Sequence, residues 1–179
     1  VGSTAGTEGD SASIVLVLDA SSSLGDNAFS SLKTAAKNFV NTAYTNASQN
    51  NSGNVEIAVV WYNGSQGEDS YDETARSSGF KDVETDNQRN ELITFITKED
   101  KEGGTPMGDG LRRASEVLNS AQYPNKYVLL FTDGRPGFWS GGYDEDSNMR
   151  KNCMVANSAN NYAEQIKDSG AIIYTVGYG

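Results

Sequence analysis

The sequence predicts an open, doubly wound α/β fold, a mostly parallel sheet flanked by helices. Two observations lead there. Apolar runs of strand length alternate with amphipathic segments of helical period, the pattern of parallel strands joined by right-handed crossovers. Two of the apolar runs also end directly on an aspartate, Asp19 and Asp133. In doubly wound sheets that strand end is where ligands sit.

The elements follow in order. Residues 1–12, VGSTAGTEGDSA, are small, polar and Gly-rich, and read as a flexible lead-in to a single domain over 13–179. SIVLVL (13–18) is a continuous apolar run, the mark of a strand buried on both faces. Phe29, Leu32, Ala36, Phe39, Val40 and Ala43 then recur at helical spacing, with Asp26 or Asn27 as N-cap. VEIAVVWY (55–62) predicts a second buried strand, and 76–83 a short edge strand. NQRNELITFIT (87–97) predicts a short helix with Leu92, Ile93 and Ile96 turned inward. In TPMGDGLRRASEVLNS (105–120), Thr105 is a candidate cap and Pro106 suits the first turn. Met107, Leu111, Ala114 and Leu118 form one stripe. KYVLLFT (126–132) and AIIYTV (171–176) predict two further buried strands. Cys153, Ala156, Tyr162, Ala163 and Ile166 mark a helix between them, with Cys153 as a buried structural thiol.

Composition excludes several function classes. The 179 residues carry 24 acidic and 14 basic side chains, a net charge of −10. That opposes nucleic acid and anionic membrane as partners, both of which are bound chiefly through Lys and Arg. No run approaches the roughly 20 apolar residues a bilayer-spanning helix requires, so no membrane insertion is expected. A single cysteine, Cys153, allows no internal disulfide, which suits a cytosolic protein or a secreted bacterial one that does without them. The chain has no histidine, which removes imidazole bases and His-ligated zinc.

The chemistry concentrates in LDASSSLGD (18–26). A nucleophilic serine there lacks a base: Ser30 and Lys33 make an S-x-x-K spacing, but its companion motifs are missing and both fit the exposed side of a helix. Phosphoryl transfer onto Asp19 lacks both a second nearby acid and a phosphate loop, since Ser21 stands two residues on. A metal seat uses more of the residues. Asp19, Ser21 and Ser23 alternate, so an extended turn aims all three at one point, with Ser22 as spacer. Thr105 adds a hydroxyl from one loop and Asp133 a carboxylate from another. Mg²⁺ is held by oxygen donors in just this way, with few carboxylates and retained waters. Each residue also has a plain structural role available: a Ser-rich turn, a helix cap, an Asp-Gly turn. Their joint placement on one sheet edge favours the metal.

DASSS after the first strand, GGTPMGDGL, and LLFTDGRP occur in that order. On these three segments the chain resembles the von Willebrand factor type A domain over residues 13–179, a Rossmann-like fold. The resemblance implies a metal-ion-dependent adhesion site formed by Asp19, Ser21, Ser23, Thr105 and Asp133. It would hold Mg²⁺, Mn²⁺ or Ca²⁺, with the two serines on the metal and Asp19 acting through water and through bonds to them. It also implies a last strand and a C-terminal helix that the sequence, ending at VGYG, lacks, leaving an apolar sheet face uncovered.

The resemblance further implies a non-enzymatic adhesion module that captures an acidic group on a protein or extracellular-matrix ligand. Together with the acidic, Gly/Ser/Asn-rich composition it suggests an extracellular place, on a bacterial surface or pilus, within a longer chain. The alternatives are an intracellular scaffold of a multi-subunit complex and a metal-dependent phosphoryl-transfer enzyme built on Asp19. Phe138, Trp139 and Tyr143 follow Asp133 among glycines. They are the candidate ligand-binding rim, suited to a protein or to stacking on a sugar ring.

Overall fold

The computed structural model describes residues 11–50, 53–64, 70–133 and 145–177. The expected lead-in falls almost wholly outside them. The elements run β1 (Ala12–Asp19), α1 (Asp26–Asn50), β2 (Val55–Tyr62), α2 (Tyr71–Thr74), β3 (Ala75–Ser77) and β4 (Lys81–Asp82). They continue with α3 (Asp86–Lys98), α4 (Met107–Leu118), β5 (Asn125–Thr132), α5 (Glu145–Asp168) and β6 (Ile172–Gly177).

The strand order is β3-β2-β1-β5-β6, with β4 paired to the far end of β2. β1, β2, β5 and β6 are mutually parallel where they pair, and the short β3 and β4 run antiparallel to β2. The expected edge strand over 76–83 is therefore two shorter pieces. Ser78, Gly79 and Phe80 separate them, Gly79 at a φ of 64°. From β1 the chain crosses to β2 on one side and only later reaches β5 on the other. The ends of β1 and β5 thus flank the point where the winding reverses, the position at which doubly wound sheets bind ligands.

Period-two alternation divides β1 between two cores. Val15 and Val17 join Ala58, Val60 and Tyr62 beneath α4 and α5, with Met107, Leu111, Ala114 and Leu118 as the α4 stripe. Leu16 and Leu18 join Ile57, Val59 and Trp61 beneath α1 and α3, against Phe29, Leu32, Ala36, Val40, Leu92 and Ile96. Both faces of β1 and β2 are covered, which explains their continuous apolar sequence.

Five expectations need correction. AIIYTV forms its strand, but β6 is an exposed edge: Ile172 and Tyr174 are 50% and 54% accessible. In β5 only alternate residues are fully buried, Val128, Leu130 and Thr132. The reason is lateral. α1 and α3 lie over the β1–β2 half of their face, so Leu129 and Phe131 are only half covered and Ile172, Tyr174 and Val176 are open. Cys153 is exposed rather than buried. The buried line of α5 runs through Val155, Ala159 and Ile166, and two residues back from Val155 is a rotation of roughly 200°, onto the opposite side. Neither Thr105 nor Asp26 caps a helix by its position. Pro106 occupies the N-cap of α4 with no side-chain bond, and Asp26 is already the first residue of α1.

α4 approaches the sheet closely enough to require small residues. A Cβ on Gly110 would lie 2.6 Å from Cδ1 and 2.9 Å from Cγ of Tyr62, itself fully buried. Alanine gains about 1 kcal/mol of helix propensity over glycine, but wedging a methyl into a close-packed core costs about 1–3 kcal/mol. Gly110→Ala is therefore expected to lower the urea midpoint; an unchanged or raised midpoint would show that Tyr62 yields freely.

Candidate metal centre

Register brings the first two acids together. Leu18 of β1 pairs with Phe131 of β5, so Asp19 stands opposite Thr132, one residue before Asp133. Thr132 Oγ1 donates to Asp19 Oδ2 at 3.2 Å. On the other carboxylate oxygen, the Ser21 amide donates to Oδ1 at 2.9 Å. The hydroxyls of Ser21 and Ser23 are bonded to each other at 2.9 Å, and Ser23 Oγ donates to Asp133 Oδ2 at 3.1 Å. An unbroken chain of bonds therefore runs Asp19–Ser21–Ser23–Asp133. The segment is a tight turn, closed by Leu24 N to Ser21 O at 3.2 Å, rather than the extended one expected. It nonetheless places Ser21 and Ser23 on the site, while the Ser22 amide turns to Gly103 O at 3.0 Å.

Thr105 is buried, at 7% accessibility, at the end of the loop that follows α3. That loop is tied to the serine turn through its backbone. Glu102 N donates to Ala20 O at 2.9 Å, alongside the Ser22–Gly103 bond. The loop that ends at Thr105 therefore abuts the serine turn through its main chain, while Thr105 itself makes no described hydrogen bond to Asp19, Ser21, Ser23 or Asp133, its carbonyl accepting from Met107 N at 2.8 Å. Phe138, Trp139 and Tyr143 lie outside the described residues.

Asp19 and Ser21 are fully buried, whereas Ser23 is exposed and Asp133 half-buried, so the site opens on one side. Burial pushes the Asp19 carboxyl above the usual range and the Asp133 charge adds to this, against the bonds from Ser21 and Thr132. Among the described ion pairs, none reaches Asp19 or Asp133. Two neighbouring carboxylates with no cationic partner among the described residues are costly, and a bound cation would offset that cost. Among the described residues no three of His, Cys, Asp or Glu gather as a metal cluster. The donors here are two carboxylates and neutral hydroxyls, hard oxygens that suit a divalent cation retaining waters.

Sequence reasoning did not single out Thr132 as a partner of Asp19, although it stands beside Asp133 in LLFTDG. It also passed over Asn63, Arg76 and Glu99, whose side chains meet beside the Thr105 loop. Their signal is only tertiary.

A mostly parallel sheet with the winding reversal at these loops defines a doubly wound α/β domain, and the family is shown directly. The model of the von Willebrand factor type A domain matches residues 13–179, and the chain belongs to that family. The fold is similar to pilus adhesin SpaC from Lactobacillus rhamnosus GG in its open conformation, with a TM-score of 0.68 and 21% identity, covering 93% of this chain and 24% of that one. It is also similar to the vWF domain of the type V pili tip protein Mfa5 from Porphyromonas gingivalis (0.55; 22%; 69% and 38%). A third is the PilB minor pilin from Streptococcus sanguinis (0.62; 16%; 94% and 57%). The chain spans between about a quarter and just over half of these proteins' lengths. No curated protein sequence matches it. Among the described residues, no helix is long and apolar enough to cross a membrane.

Proposed function

We propose that the chain is a divalent-cation-dependent adhesion module of a bacterial surface or pilus protein. The observation that carries this is the bonded set Asp19–Ser21–Ser23–Asp133 at the winding reversal, with no basic side chain among the described residues paired to either acid. Asp19, Ser21, Ser23, Asp133 and, from its loop, Thr105 would hold Mg²⁺, Mn²⁺ or Ca²⁺. The bound ion would supply a Lewis-acidic position for a carboxylate of a protein or matrix partner. Thr132 and the Ser21 amide orient the Asp19 carboxylate, the serine hydroxyls provide neutral donors, and the exposed Ser23–Asp133 side leaves a way in. The likeness to pilus adhesins supports the surface setting, and the net charge of −10 suits a cation-binding surface rather than a nucleic-acid one.

Titration calorimetry with MgCl₂ and MnCl₂ tests it. The unaltered chain is expected to bind one divalent ion, and Asp19→Ala to weaken binding by about 100-fold or more, in line with the loss of a ligand-orienting carboxylate. No p-nitrophenyl phosphate should be hydrolysed. Failure to bind at millimolar concentration, or hydrolysis that disappears with Asp19→Ala, would overturn the proposal.

A further inference from the structure

The loop carrying Thr105 is anchored by a side-chain assembly that the adhesion motif does not include. Arg76 of β3 lies opposite Trp61 on the antiparallel edge of β2. Its Nη2 donates to Glu99 Oε1 and, at 2.9 Å, to Asn63 Oδ1; its Nε reaches Glu99 Oε2 at 3.4 Å. Nη1 donates to the Glu73 carbonyl. Asn63, 3% accessible, returns its amide hydrogens to Glu99 Oε1 and the Asp100 carbonyl, each at 3.2 Å. Glu99 is the first residue after α3, and its side chain is only 12% exposed. One guanidinium thus binds the end of β2, the end of α2 and the start of the Thr105 loop together.

The remaining anchors turn this grip into a position. Gly64 pairs with Gly103, with Gly64 N to Glu102 O at 3.1 Å and Gly104 N to Gly64 O at 2.9 Å. Lys33 donates to the Thr97 and Glu99 carbonyls, and Lys101 to the Leu24 carbonyl and Asp26 Oδ1, each at 2.6 Å. Downstream, the loop bonds the backbone of Ala20 and Ser22, which alternate with Asp19, Ser21 and Ser23. A shift at Glu99 therefore passes along about six residues to Thr105 and sideways into the serine turn. Lysine could not replace the arginine, because only a planar fork meets a carboxylate and an amide oxygen at once.

We infer that Arg76 is a positioning residue for the metal centre: by holding Glu99 and Asn63 it sets Thr105 relative to Asp19 and the serines. This rests on the divalent-cation reading above.

The test is a double-mutant cycle read by electron paramagnetic resonance of free Mn²⁺, on the unaltered chain, R76M, T105A and the double variant. Circular dichroism establishes that each is folded at the assay temperature. R76M is expected to weaken Mn²⁺ binding by about tenfold, the scale of losing a group that orients a ligand. The double variant should bind no more weakly than T105A alone, because the arginine acts through the threonine. Should R76M fail to fold, E99Q and N63A take its place in the same cycle. Unchanged affinity in R76M, or losses that add in the double variant, would overturn the inference while leaving the metal centre standing. An unaltered chain that binds no Mn²⁺ would overturn the cation reading and this inference with it.

Discussion

Gly103→Ala is expected to destabilise the domain by about 2–4 kcal/mol and to weaken divalent-cation binding well beyond the loss of folded protein. Gly103 has a φ of 55°, in the left-handed region that a Cβ disfavours. Its added Cβ would stand 2.6 Å from Gly64 Cα, with the Gly64 carbonyl carbon and nitrogen at 3.0 and 3.1 Å. These are backbone atoms, so no rotamer relieves the overlap; the two loops must separate. Separation breaks the Gly64 pairing and pulls on the Ser22–Gly103 bond, which abuts Ser21 and Ser23. Gly79→Ala is the control. Its φ is 64°, but nothing lies within 4 Å of the added carbon, so only backbone strain of about 1 kcal/mol is expected. Urea unfolding and Mn²⁺ titration of both variants check this. Equal losses in the two would show that the Gly64 contact contributes nothing.

Glu56→Ala is expected to cost a similar amount, about 2–4 kcal/mol, with no change in the cation affinity of the folded molecules. Glu56 is 2% accessible and lies at the opposite end of the sheet, where it pairs in register with Ser13. Its Oε1 accepts from Ser13 Oγ at 2.6 Å and from Gln122 N at 2.7 Å, while Ser13 Oγ accepts from Tyr123 N at 3.1 Å. The carboxylate thereby fastens the α4–β5 connection to β1 and β2. Truncation leaves the buried Ser13 hydroxyl and the Gln122 amide each short of a partner and opens a cavity. Glu56→Gln retains an acceptor oxygen and should lose less. Guanidinium unfolding gives the stability, and a drop below about 0.5 kcal/mol would assign the network no structural weight. Together the two variants separate the sheet's two ends: one carries the proposed chemistry, the other only stability.

The exposed apolar strip on β5 and β6 shows where local pattern misleads. AIIYTV and KYVLLFT read alike as buried strands, because periodicity reports what a residue prefers and not what covers it. Coverage came from the lateral placement of α1 and α3, which no window of sequence contains. Cys153 failed for a related reason. Ala156, Tyr162, Ala163 and Ile166 fit more than one helical face, and the packing of Ala159 and Ile166 into the core with the α4 stripe chose the one that turns the thiol outward. At Thr105, a residue with good capping chemistry sits one position too early, because Pro106 takes the cap and the first helical residue is Met107.

By itself, the sequence determined the doubly wound class, the two Asp-terminated strands and four members of the bonded set. These depend on short-range information: strand-length apolar runs, and side chains at spacings of two residues behind them. Only the tertiary structure decided that Asp19 faces Thr132 and that Ser23 reaches Asp133 across 110 positions. It alone decided that Asn63, Arg76 and Glu99 converge under the Thr105 loop. Pairing β1 with β5 and folding β3 back on β2 sets these contacts. Strand order and register bring together residues far apart in the chain, and no local preference encodes them.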